Sequence, residues 1–165
     1  MARYRTLAVA VLALLLPRPA TCDEAARAGE WQVECRGEGN AKCVAVHDVL
    51  VKTADQPDAP TNRILRATIA KSDQGQMVLL ALLPLGIFLP AGVVSTVDEA
   101  PQTPMTVQRC TQAGCEAAQA LTPETFQALR KGKQLKVAFK ADPNGQTLVV
   151  EVPLKHAAAA LDKVK

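Results

Sequence analysis

The chain has 165 residues, 19 basic and 16 acidic, for a formal net charge of +3, and aromatic residues make up 3% of it. That length suits one domain with a core built from Val, Leu, Ile and Ala, and so few rings exclude a stacking platform for single-stranded nucleic acid. Arg3, Arg5 and Arg18 all fall in the first 22 residues, so the remainder carries 16 basic against 16 acidic groups, which excludes a global electrostatic case for nucleic-acid binding.

The N-terminus has the three parts of a secretory signal. Arg3 and Arg5 form the positive region, Leu7 to Leu16 is unbroken apolar chain, and Pro17 stops it before the small residues Ala20-Thr21-Cys22. The expected cut falls after Cys22, which divides the chain into a signal over residues 1–22 and a single domain over residues 23–165. The apolar run is too short for a bilayer span, which needs about 20 residues. Acylation of Cys22 is the alternative, but Pro19-Ala20-Thr21 lacks the aliphatic residue expected three places before a lipidated cysteine.

Downstream, Trp31, Val33 and Cys35 alternate with Gln32 and Glu34, the period of a strand. A second strand opens at Cys43-Val44-Ala45-Val46, after the turn-like Arg36 to Asn40. Thr53 to Asn62 holds Pro57 and Pro60 and reads as a loop; Leu65, Ala67 and Ile69 then alternate with Arg66 and Thr68. Met77 to Val94 carries no charge over 18 residues, near the length of a membrane helix, yet Pro84, Gly86, Pro90 and Gly92 would interrupt one repeatedly. The segment is expected as the buried centre of the domain, with a strand over Met77 to Leu83, a turn at Pro84-Leu85-Gly86 and a second apolar stretch through Val93.

Thr106 to Cys110 reads as a short strand. Thr122 and Pro123 supply an N-cap and a first helical position, Phe126, Leu129 and Arg130 follow at helical spacing, and Gly132 suits the stop, which predicts a helix over Pro123 to Lys131. Leu135, Val137 and Phe139 alternate, as do Leu148, Val150 and Val152 after Asp142-Pro143-Asn144-Gly145, which predicts a hairpin. His156 to Val164 is Ala-rich and expected as a short terminal helix.

Four cysteines fall in two close pairs, Cys35 with Cys43 and Cys110 with Cys115, and an exported chain of this kind is expected to form disulfides within each pair. The rival is a four-cysteine zinc site, whose usual C-x2-C to C-x4-C spacing the first pair does not have. Neither pair is the Cys-x-x-Cys of a redox enzyme. His47 adjoins Asp48, but strand neighbours point to opposite faces, and neither Ser72 nor Ser95 stands in Gly-x-Ser-x-Gly. No cofactor, metal or catalytic residue is therefore expected; an enzyme with an unrecognised site stays as an alternative. Arg130, Lys131, Lys133, Lys136 and Lys140 form the one basic concentration. Two readings stay open for it: a solvated face whose lysines discourage edge pairing, or a patch for an anionic glycan, lipopolysaccharide or membrane headgroup.

Trp31-x-Val33-x-Cys35, the run from Met77 to Val93, the stretch Cys110-Thr-Gln-Ala-Gly-Cys115-Glu-Ala and Ala128-Leu129-Arg130-Lys131-Gly132-Lys133 together resemble the invasion-associated locus B family, in order and over nearly all of residues 23–165. Two places depart from it: Lys155 is followed by His156-Ala157 where members often carry Gly-Phe, and a histidine follows Val46 where a glutamine is expected. The resemblance implies a small exported protein with a mainly β domain, periplasmic or surface-associated, in a family linked to host-cell invasion in some pathogens. It carries over no catalytic residues. The expectation is a mainly β, disulfide-stapled domain, an antiparallel β-sandwich with one or two short helices. Its expected role is that of an exported, non-enzymatic envelope protein with an unidentified envelope or host-surface partner, no nucleic acid and no span after signal removal.

Overall fold

The structure is a computed structural model and describes residues 30–37, 42–51 and 62–165. The expected signal and its cut at Cys22, the turn through Asn40 and the loop from Thr53 to the threshold of Asn62 lie outside the described residues. Among the described residues the elements run β1 (Gln32–Arg36), β2 (Lys42–Val51), β3 (Asn62–Lys71), β4 (Met77–Leu83), β5 (Val93–Val97), β6 (Thr103–Thr111), β7 (Gly114–Ala120), α1 (Pro123–Lys131), β8 (Gln134–Lys140), β9 (Thr147–Pro153) and α2 (Ala157–Leu161), with a 3-10 turn at Leu89–Ala91.

All strand pairs are antiparallel, and the nine strands form one sheet in the order β1-β2-β3-β4-β7-β6-β5-β8-β9. The expected sandwich gives way here to a single curled sheet, a half-barrel. The reason lies in β6. Its first residues, Thr103 to Met105, pair with β5, while Thr106 to Thr111 pair with β7. A sandwich needs strands divided between two sheets; a strand that serves both halves makes them one surface. The ladder slips between Val107 and Arg109, the kind of irregularity that raises local twist and lets a sheet bend.

Inward-facing side chains fill the curl. Leu65, Ala67 and Ile69 of β3, Leu79, Ala81 and Leu83 of β4, Leu135 and Val137 of β8 and Val152 of β9 are all essentially inaccessible. Ser95 and Gln119 form a buried polar pair, with the serine hydroxyl 2.5 Å from the amide oxygen across the line of β6. The strand over Met77 to Leu83 forms as expected, but the whole of Met77 to Val94 is not buried: Leu80 faces outward half-buried, Leu85 is 57% exposed and Leu89 51% exposed. The breakers that forbid a helix also turn this chain out of the sheet after Leu83.

The two ends of the half-barrel are built differently. At one, the Trp31 indole donates to the Pro153 carbonyl at 2.8 Å, joining the chain just before one sheet edge to the strand at the other. Cys43 and Lys165 exchange two backbone hydrogen bonds of 3.2 Å, and α2 plugs the curl with Ala157, Ala160 and Leu161. At the opposite end, β2 finishes, β3 begins and β8 turns into β9, without such a plug among the described residues. Leu50, Val51, Leu85, Leu89, Leu148 and Val149, the large apolar side chains left exposed among the described residues, all sit on segments of this end.

Candidate functional site

Cys35 lies opposite Cys43 and Cys110 opposite Cys115 in their ladders, and both pairs are bonded, with S–S distances of 2.12 and 2.05 Å and Cα separations of 4.0 Å. Each bridge staples one pair of neighbouring strands and leaves one sulfur-bearing residue buried, Cys43 and Cys115. Tight turning after β6 depends on Gly114. Its φ is +134°, and an added Cβ would stand 2.2 Å from the Leu83 carbonyl oxygen. The bonded sulfurs are not free to ligate zinc, and among the described residues no three His, Cys, Asp or Glu side chains gather in a metal-ligating group.

The five basic residues do not converge on one point. α1 starts under Thr122, whose hydroxyl accepts the Thr125 N–H at 3.2 Å, and its last turn carries Arg130 and Lys131. Gly132 follows because space demands it: a Cβ would meet the Ala128 carbonyl oxygen at 2.7 Å and Val97 Cγ1 at 2.8 Å, while its φ of −70° is open to any residue. Lys133 sits at the junction with β8, and Lys136 and Lys140 lie along the strand. Lys133 and Lys140 are therefore about 23 Å apart, at about 3.3 Å of rise per residue.

Acids missing from the sequence reading intersperse them. Arg130 pairs with Asp162 of the α2 C-cap at 2.6 Å, and Lys136 reaches Glu99 at 3.4 Å. Asp98, at φ 50°, accepts the backbone N–H groups of Lys133 at 3.0 Å and Gln134 at 2.9 Å, tying the end of β5 to the start of β8. Lys131, Lys133 and Lys140 have no carboxylate within ion-pair distance among the described residues. Leu154 donates to the Lys133 carbonyl at 2.9 Å, which brings Lys155 alongside Lys133 rather than Lys140.

The outer face of the first strands carries a second charged array. Asp48 stands opposite Arg66 in the β2–β3 ladder, its carboxylate lies 3.7 Å from Arg63, and Arg66 also pairs with Glu34. Alternation alone places these residues outward; only the register, set by the long-range β2–β3 pairing, brings them together.

His47 points inward beside Trp31, with ring centroids 5.5 Å apart, and is 2% exposed. Its Nδ1 has no hydrogen-bond partner among the described residues. Burial pushes its pKa below the ordinary value, and the neighbouring Asp48 carboxylate opposes that only in part. Thus His47 stands as a neutral core side chain. Ser95 is bonded to Gln119 inside the curl, and the Ser72 hydroxyl accepts the Gln76 N–H in a turn at 3.1 Å.

Residues 31–165 match the family model described as invasion associated locus B (IalB) protein. The fold is similar to the crystal structure of invasion associated protein B from Bartonella henselae, with a TM-score of 0.66, 25% sequence identity, 82% of this chain covered and 91% of that one. No curated protein matches the chain.

Proposed function

The chain belongs to the invasion associated locus B family, and from that premise we propose that it is an exported, non-enzymatic protein of the bacterial envelope that contributes to contact with host cells. The observation that carries this reading is the pair of disulfides in a domain that matches the family from residue 31 to residue 165. Structural disulfides persist in oxidising compartments and are rare in a reducing cytosol. The proposed signal over residues 1–22 supplies the route out, with release after Cys22 into the periplasm or to the surface. His47 and Ser95 are both buried, and Ser95 is bonded to Gln119, so neither side chain is open to a substrate, which supports a non-catalytic role.

Fractionation of the native organism tests the routing. The expected product begins at Asp23 by mass spectrometry, sits outside the cytoplasm and resists thiol alkylation until reduced. Recovery from the cytosol with residues 1–22 attached and five reactive thiols would sink the reading. Host-cell entry by a deletion strain, with and without the gene restored, tests the contact role; unchanged entry removes it.

An anionic glycan or lipid headgroup is the second reading. It is favoured by Lys131, Lys133 and Lys155, which cluster at the α1–β8 junction. Lys131→Gln with Lys133→Gln should weaken heparin retention and leave the melting temperature unchanged, because exposed charges contribute little to stability. Unaltered retention would return these lysines to a solvated face.

A further inference from the structure

The open end of the half-barrel holds a groove of about 240 Å³, lined by Ile64, Leu85, Ile87, Phe139, Leu148 and Val150 among other apolar residues. Its floor is core: Phe139 is 4% exposed and Val150 7%. Its lip is wet: Leu85 is 57% exposed, Leu148 47% and Val149 53%. The groove lies between the chain that leaves β4 and the β8–β9 hairpin. Those two walls are fastened by the Phe88 N–H, which donates to the Lys140 carbonyl at 2.7 Å. Exposed apolar surface gathered at one place on a domain marks a binding site, and barrel mouths are among the places where small-molecule sites occur.

We propose that this groove binds the alkyl chain of a monomeric single-chain amphiphile, such as a medium-chain fatty acid. The lining selects the occupant. Every described residue of the lining is apolar, so among the described residues the groove offers no side-chain partner for the amide groups of a peptide, which would be buried unsatisfied. An alkyl chain has no such groups. The groove is also a slot rather than a face, and a stable protein interface buries about 800 Å² on each partner. The site is separate from the α1–β8 lysines and does not depend on how the protein is exported.

Titration with saturated fatty acids of six to twelve carbons, below their micelle concentrations, tests it on protein purified from the periplasm of an expression host. Methyl NMR should show saturable shifts at Ile64, Ile87, Leu148 and Val150. Affinity should rise about fourfold per added methylene until the chain outgrows the groove. Leu148→Asp and Leu85→Asp, both at exposed positions, should lower decanoate affinity at least tenfold. Leu89→Asp, exposed but outside the lining, should leave it unchanged. The proposal is overturned if affinity is flat with chain length, or if all three aspartate variants bind like the parent. It is equally overturned if the protein sediments with anionic phospholipid vesicles but ignores monomeric decanoate, or if Leu148→Asp only dissociates a dimer of this chain.

Discussion

The half-barrel is plugged at one end and, among the described residues, open at the other, and the contrast shows how one sheet divides its labour. At the closed end a Trp31–Pro153 hydrogen bond, the Cys43–Lys165 pairing and α2 bring the two edges together over a filled interior. At the open end the same strands run on past the plug, and their apolar residues meet water. Stability should reside in the first region and tolerance to substitution in the second.

The largest expected difference follows directly. Leu161→Ala, in the plug, should cost about 2–5 kcal/mol, because its side chain is 2% exposed and a cavity remains. Leu148→Ala, at the open end, should change stability by at most about 0.5 kcal/mol. Urea unfolding of both variants measures the contrast, and equal effects would mean that the plug is not where the fold is held.

Next come the staples. Cys35→Ala with Cys43→Ala should cost about 2 kcal/mol, and so should Cys110→Ala with Cys115→Ala, because short loops lose limited unfolded-state entropy. Each should destabilise without abolishing the fold, as each bridge spans only a neighbouring strand pair. A variant of either kind that fails to fold at all contradicts the view of them as local.

Trp31→Phe should cost about 1 kcal/mol beyond its packing loss, the net worth of one hydrogen bond, since the Pro153 carbonyl loses its donor. Hydrogen exchange should then quicken in β9 and α2 and stay unchanged at the open end.

The smallest effect is confined in pH. The pKa of His47 is lowered in the folded chain by burial, from an ordinary 6.5. Above that value both states are neutral and the stability associated with it is fully present. As pH falls below it, the unfolded chain takes up a proton that the folded one refuses, so stability declines until the folded pKa is passed. His47→Leu should flatten the decline in the window that opens below about pH 6.5. An unchanged slope in that window would assign the acid sensitivity to other groups.

Much of the fold was legible because the relevant signals are local. β4 follows from an uncharged run ended by Pro84 and Gly86, α1 from a Thr-Pro cap, and the β8–β9 hairpin from alternation and turn residues. β7 was not legible. Gly114-Cys-Glu-Ala-Ala-Gln-Ala120 has weak strand preference, and it is extended because β4 and β6 pair with it on both sides. β5 was read only as the tail of an apolar run. The single-sheet architecture was hidden for a related reason: nothing in Thr103 to Thr111 announces that its two halves serve different neighbours. Among the basic residues, Glu99 and Asp162 were not foreseen as partners, because helix docking and loop return bring them there across long sequence separations. The open groove was missed where apolar composition was equated with burial, although Leu85 and Leu89 show that a Pro-Gly turn can carry such residues outside.

The strand shared by both halves of the sheet also sets an order of assembly. The β6–β7 hairpin is the shortest-range pairing at the seam, and the Cys110–Cys115 bond sits beside its turn. The partners that flank this hairpin, β4 and β5, lie upstream of it, and β8 lies beyond α1, so they must be recruited through larger loops whose closure is slower. In refolding from the reduced chain, this small hairpin should be the first to acquire its bridge. The two halves should then appear together in a single kinetic phase, because neither possesses all of its strands without β6.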